Sequence, residues 1–140
     1  MKTTVDVQWI DNLAFEADIQ GHKIILEATN ENGGLSKGPS PKPLILASLG
    51  GCTGMDVVSI LKKMNINFET FNVKIEGIIA EDHPKKYNEI NIIYEIKGKD
   101  LPFEKVEKAV NLSIEKYCGV YSTLVNSVKM SHEIKILNIE

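Results

Sequence analysis

Residues 41–64, PKPLILASLGGCTGMDVVSILKKM, narrow the folds open to this chain more than any other stretch. From Leu44 to Leu61 the only formal charge is Asp56, and Cys52 sits mid-run behind Gly50 and Gly51. Pro41 and Pro43 suit a first helical turn, where a missing N–H costs nothing, and Lys62 and Lys63 give a cationic exit. The stretch predicts one long helix. At about 1.5 Å per residue it spans about 33 Å, whereas a compact chain of this length has a radius of gyration of about 14 Å. Such a helix crosses its whole domain, and with apolar residues on every face it needs more cover than one small sheet provides. A homodimer with the two central helices packed together is therefore predicted. Asp56 would cost about 2.5–3.5 kcal/mol at the centre of a bilayer, so the reading is a core helix with no membrane partner.

Gly50, Gly51 and Gly54 each cost a helix about 1 kcal/mol relative to alanine, which tertiary contact must offset. Either a ligand or backbone comes close at this turn, or the helix is simply packed tightly.

The rest of the chain reads as cover. Thr3, Val5, Val7 and Trp9 alternate with polar residues, as do Leu13, Phe15, Ala17 and Ile19, with His22–Glu27 following Gln20-Gly21. Three antiparallel strands are predicted. Residues 28–41 form a Gly/Ser/Asn/Pro-rich connector or flap. Beyond the helix, Phe71–Ile79 and Ile90–Ile96 alternate as two more strands around the turn at Asp82–Lys86. Asp100 is expected to cap a second helix with Pro102 in its first turn and the stripe Phe103, Val106, Val110, Ile114 and Tyr117, broken by Gly119. Val128–Ile139 closes the chain as a strand. The order βββ-α-ββ-α-β is an α+β pattern, read as one domain over residues 1–140.

The formal net charge of −3 and the lack of a basic or aromatic-interleaved stripe argue against nucleic acid as a partner. Early charges at Asp6, Asp11, Glu16 and Asp18 leave no apolar signal region, so a cytoplasmic location is expected. In that compartment two cysteines are catalytic, redox-sensing or inert rather than a structural bridge. All sixteen basic residues are lysine.

Cys52 and Cys118 lie 66 residues apart, far from any CxxC or zinc-finger spacing, so no metal and no cofactor is expected. Two readings stay open. In one, Cys52 is oxidised to a sulfenic acid and Cys118 condenses with it to a disulfide. In the other, both are ordinary core cysteines. Reactivity needs the thiolate, yet burial and an ionised Asp56 one turn on would both raise the Cys52 pKa. A cation should answer them, with Lys42, Lys23, His22 and His132 as candidates. Ser48, one turn before Cys52, and Ser59 could bond a polar ligand or merely their own helix.

SPKPLILASLGGCTGMDVVSILKKM, followed by EKYCGVYSTL and a terminal strand, resembles the OsmC-like family, which includes organic hydroperoxide reductases. The resemblance covers essentially the whole chain. It implies an intertwined α+β homodimer with central cysteine helices between sheets and an active site at the subunit interface. It also implies that Cys52 is the peroxidatic and Cys118 the resolving cysteine. The substrate would be a small organic hydroperoxide, and the reductant a dithiol, lipoyl-linked in characterised members. Family peroxidases use an arginine from the early strands and a glutamate near the start of the cysteine helix. This chain has no arginine and carries Lys42 and Pro43 at the helix start. The alternative is a non-catalytic dimer of the same fold, holding a small apolar or thiol-bearing ligand at its interface.

Overall fold

The computed structural model describes all 140 residues and resolves them into two compact units, residues 1–45 and residues 46–140. The first unit is an antiparallel sheet in the order β1 (Asp6–Asp11), β2 (Ala14–Ile19), β3 (His22–Glu27). The β2–β3 hairpin closes through Gln20 and Gly21, both at positive φ (52° and 83°), the backbone twist that a two-residue hairpin turn requires. Every residue of β1 is exposed, and of this sheet only Ala14, Ala17 and Glu27 are buried. Strand alternation from Thr3 was expected, but the ladder starts at Asp6, the first residue paired with β2.

Helix α1, Pro41–Lys63, straddles the two units. By length and composition it could cross a membrane, with a mean hydropathy of 1.8. In this fold Leu49, Thr53, Val57 and Leu61, each four residues from the next, are buried as one stripe. The second unit continues with β4 (Thr70–Ile79), β5 (Tyr87–Gly98), α2 (Phe103–Leu112), α3 (Gly119–Leu124) and β6 (Lys129–Asn138). Its sheet has the order β4-β5-β6, with β4 antiparallel and β6 parallel to β5. A parallel pair needs a long crossover, and residues 103–124 supply it. Leu49 and Val57 of α1, Ile92 and Ile96 of β5, and Val106 and Val110 of α2 belong to one buried core.

The helix glycines serve packing at two positions. A Cβ at Gly50 would lie 3.3 Å from Ile75 Cγ1, and one at Gly54 would lie 3.4 Å from Val73 Cγ2, so α1 rides close over β4. At Gly51 a Cβ would meet nothing.

The second helix corrects the sequence reading in three ways. Pro102 rather than Asp100 precedes its first turn, with no side-chain cap, and Asp100 has a left-handed φ of 51°. Phe103 and Tyr117, expected on the apolar stripe, are 49% and 53% exposed, while Ala109 and Ser113 are buried. The cause at the far end is a five-residue π turn, Ser113–Tyr117, whose extra residue rotates Tyr117 outward and brings Cys118 inward. The helix then breaks at Cys118 itself, which is extended (φ −77°, ψ 101°), and Gly119 opens α3.

Candidate functional site

The site has two walls. On α1, Cys52 and Asp56 are one turn apart and share a face, both half-buried. Opposite them, the π turn delivers Cys118, whose backbone N–H donates to the Ser113 carbonyl oxygen five residues back at 2.8 Å. The Cys118 side chain is buried and accepts a hydrogen bond from the Tyr121 N–H at 3.3 Å. The two sulfurs and a carboxylate oxygen of Asp56 all lie within 4.8 Å of one another. Both cysteines are free thiols. A 66-residue separation in sequence is closed by the fold to a side-chain distance.

A buried chain of hydroxyls runs into this cluster. Tyr94 OH and Thr53 Oγ1 are 2.7 Å apart, Thr53 Oγ1 and Ser113 Oγ are 2.7 Å apart, and Ser113 Oγ donates to Asp56 Oδ2 at 2.9 Å. Each hydroxyl has one proton to give. Because Ser113 spends its proton on the carboxylate, Thr53 must donate to Ser113 and Tyr94 must donate to Thr53. The three donors therefore point one way, ending on Asp56. Burial pushes the Tyr94 phenol up to about 12, against a smaller opposing effect of the Thr53 hydrogen bond, so it keeps the proton this order needs. Burial also pushes the Cys118 thiol up to about 11, opposed by the Tyr121 N–H and reinforced by Cys52 and Asp56.

Among the residues singled out from sequence, Cys52, Asp56 and Cys118 are brought together. Ser48 is exposed on α1, and Ser59, also exposed, lines a groove beside β4. His132 is exposed on β6, its ring edge-on to that of Tyr94 with centroids 6.3 Å apart, so it abuts the start of the hydroxyl chain rather than the sulfurs. Lys42 is exposed in the first turn of α1, in the first unit. Thr53, Tyr94, Ser113 and Tyr121 were not anticipated. The signal available for Thr53 was a hydroxyl placed on a helix's apolar stripe, where it must find a buried partner.

The second unit has a groove of about 880 Å³ between α1 and β4, lined by Gly50, Gly54, Met55, Val58, Phe71 and Val73 among others. Neither sulfur lines it.

The chain thus carries one cysteine on its long helix and a second after the next helix, in an α+β setting. The family model for OsmC-like protein matches residues 33–133, and the chain belongs to the OsmC-like family. Protein YhfA of Escherichia coli K12 is 35% identical over 132 residues, spanning 94% of this chain and 96% of YhfA. A solved structure from Aquifex aeolicus VF5 superposes with a TM-score of 0.83 at 32% identity, over 97% of this chain and 98% of that one. The organic hydroperoxide resistance protein OhrB of Bacillus subtilis shares the fold, with a TM-score of 0.65 at 18% identity over 96% and 98% of the two chains.

Proposed function

We propose that this protein is a thiol-dependent peroxidase for small organic hydroperoxides, working as a cytoplasmic homodimer through a Cys52–Cys118 disulfide. The observation that carries this reading is the pair of free sulfurs, within 4.8 Å of each other and of the Asp56 carboxylate. Family membership and the fold shared with an organic hydroperoxide resistance protein support it.

Asp56 accepts the Cys52 proton, and the thiolate attacks the peroxide, breaking the O–O bond to give Cys52 sulfenic acid and an alkoxide. The alkoxide takes the proton back from Asp56 and leaves as the alcohol. Cys118 sulfur then attacks Cys52 sulfur; hydroxide departs with the Cys118 proton as water, leaving a disulfide. A dithiol, lipoyl-linked in the resemblance, regenerates two thiols by exchange. In place of the guanidinium that this chain lacks, a carboxylate held by Ser113 handles the proton.

The dimer is supported within each unit by apolar side chains that lack cover. Val7, Trp9 and Phe15 are exposed in the first unit, and Met55 and Ile78 in the second, apolar surface of the kind that a second copy covers.

Adding one equivalent of an alkyl hydroperoxide to reduced protein should consume it, release the alcohol and remove two hydrogens in mass as Cys52 and Cys118 join. Unchanged mass with the peroxide intact would exclude the peroxidase. A second reading, a binding module of the same fold, is favoured by the α1/β4 groove, which is apolar and separate from the sulfurs. It predicts saturable binding of an apolar probe there in the Cys52→Ser variant.

A further inference from the structure

We infer that the reduced cluster is also a metal site, in which Cys52, Cys118 and Asp56 bind a borderline-soft divalent cation of the zinc class, and that the metal and the disulfide exclude each other.

Zinc takes thiolate ligands at about 2.3 Å and carboxylate oxygens at about 2.0–2.2 Å in a tetrahedron, which sets ligand atoms roughly 3.5–3.8 Å apart. Two sulfurs and one oxygen already within 4.8 Å of one another need only side-chain adjustments to meet that requirement. Cys52 and Asp56, one turn apart on α1, present their donors from one rigid face, and Cys118 closes the third side. Two of the three ligands are also oriented from behind. Ser113 Oγ holds Asp56 Oδ2 at 2.9 Å, and the Tyr121 N–H holds Cys118 Sγ at 3.3 Å. Such outer contacts fix ligand direction in built metal sites. The donor set selects the metal class: two thiolates suit zinc or a similar ion, while magnesium and calcium require oxygen ligands throughout. Three protein ligands leave a fourth position, and the half-buried Cys52 and Asp56 keep the cluster open to solvent. That position would take water or a small thiol. A disulfide between Cys52 and Cys118 removes both sulfur ligands, so oxidation expels the cation and an occupied site shields the thiols.

The site uses the residues of the peroxidase reading but does not depend on it. The test is anaerobic titration of the reduced full-length protein with cobalt(II), followed by displacement with zinc. Expected are one cobalt per chain, an intense thiolate-to-cobalt absorption with a tetrahedral visible band, and loss of both on adding zinc. Cys52→Ser and Cys118→Ser should each weaken binding about a hundredfold or more, and Ser113→Ala about tenfold. If Cys118→Ser fails to fold, Cys52→Ser and Asp56→Asn, at half-buried positions, decide the matter. Absence of the thiolate band at a one-to-one ratio, or equal cobalt affinity in Cys52→Ser or in the disulfide form, overturns the inference. Cobalt binding, together with no peroxide consumption by the metal-free reduced protein, supports the metal site and removes the peroxidase. Peroxide consumption with no cobalt band removes only the metal site.

Discussion

Cys52 sits midway along a regular helix of 23 residues, half-buried and preceded by glycine, whereas Cys118 is buried at the end of a π turn with its sulfur bonded to a backbone N–H. The contrast teaches that the two thiols are made unequal by backbone geometry. One is fixed on a straight element and reachable from outside. The other is enclosed, protonated at neutral pH and attached to an irregular turn. A reagent arriving from solvent meets Cys52 before Cys118.

The largest effect that bears on this contrast is Cys52→Ser, which should drop peroxide turnover to background while the protein stays folded by circular dichroism. Retained turnover would make the two walls equivalent and sink the assignment. Next is Cys118→Ser, which should consume a single equivalent and stop with a sulfenic acid trapped on Cys52, seen by a sulfenic-acid-specific label and mass spectrometry. If Cys118→Ser cycles like the wild type with the dithiol reductant, Cys118 has no resolving role.

The link between the walls comes third. Thr53→Val removes the hub of the hydroxyl chain and leaves the Tyr94 hydroxyl and Ser113 short of partners, which should cost about 2–3 kcal/mol in denaturant unfolding. Ser113→Ala should cost about 1–2 kcal/mol and slow peroxide attack, because Asp56 loses its donor. Unchanged stability in both variants would show that the chain of hydroxyls does not couple α1 to the π turn.

The smallest effect is on pH dependence. Folding raises the Cys118 pKa from 9.0 to about 11 through burial. Below pH 9 both folded and unfolded chains hold the proton, so this stabilisation is fully present. Between about pH 9 and 11 the unfolded chain releases it first, and stability falls as pH rises. Under reducing conditions with a chelator, the stability difference between wild type and Cys118→Ala should shift in that direction across the window. A constant difference would place Cys118 in a wetter setting than the structure gives it.

Much of the fold was legible because it rests on periodicity. The long charge-poor run gives α1, and alternation gives both sheets and the terminal strand. Cys52 and Asp56 were legible as a pair because helical spacing fixes them one turn apart. The π turn was not. Its cause is tertiary: burying Ser113 against Thr53 and Asp56 overrides the regular continuation of the stripe through Ile114 and Tyr117. No local pattern in SIEKYCG announces that. The hydroxyl chain was hidden for a similar reason, since Thr53, Tyr94 and Ser113 are scattered over 60 residues and meet only once β5 lies under α1. The helix start at Asp100 misled because a capping residue type is a permission, and here the chain turns left-handed there and enters the helix through Pro102.

The parallel pairing of β6 with β5 carries a consequence for biogenesis. On a polypeptide growing from its amino end, the connection bearing Cys118 cannot be pinned over the sheet until Lys129–Asn138 has emerged and zipped alongside its neighbour. Each nascent molecule thus passes through an interval in which its two thiols are unguarded and unmatched. The two sulfurs come within reach of each other only after that pairing is made.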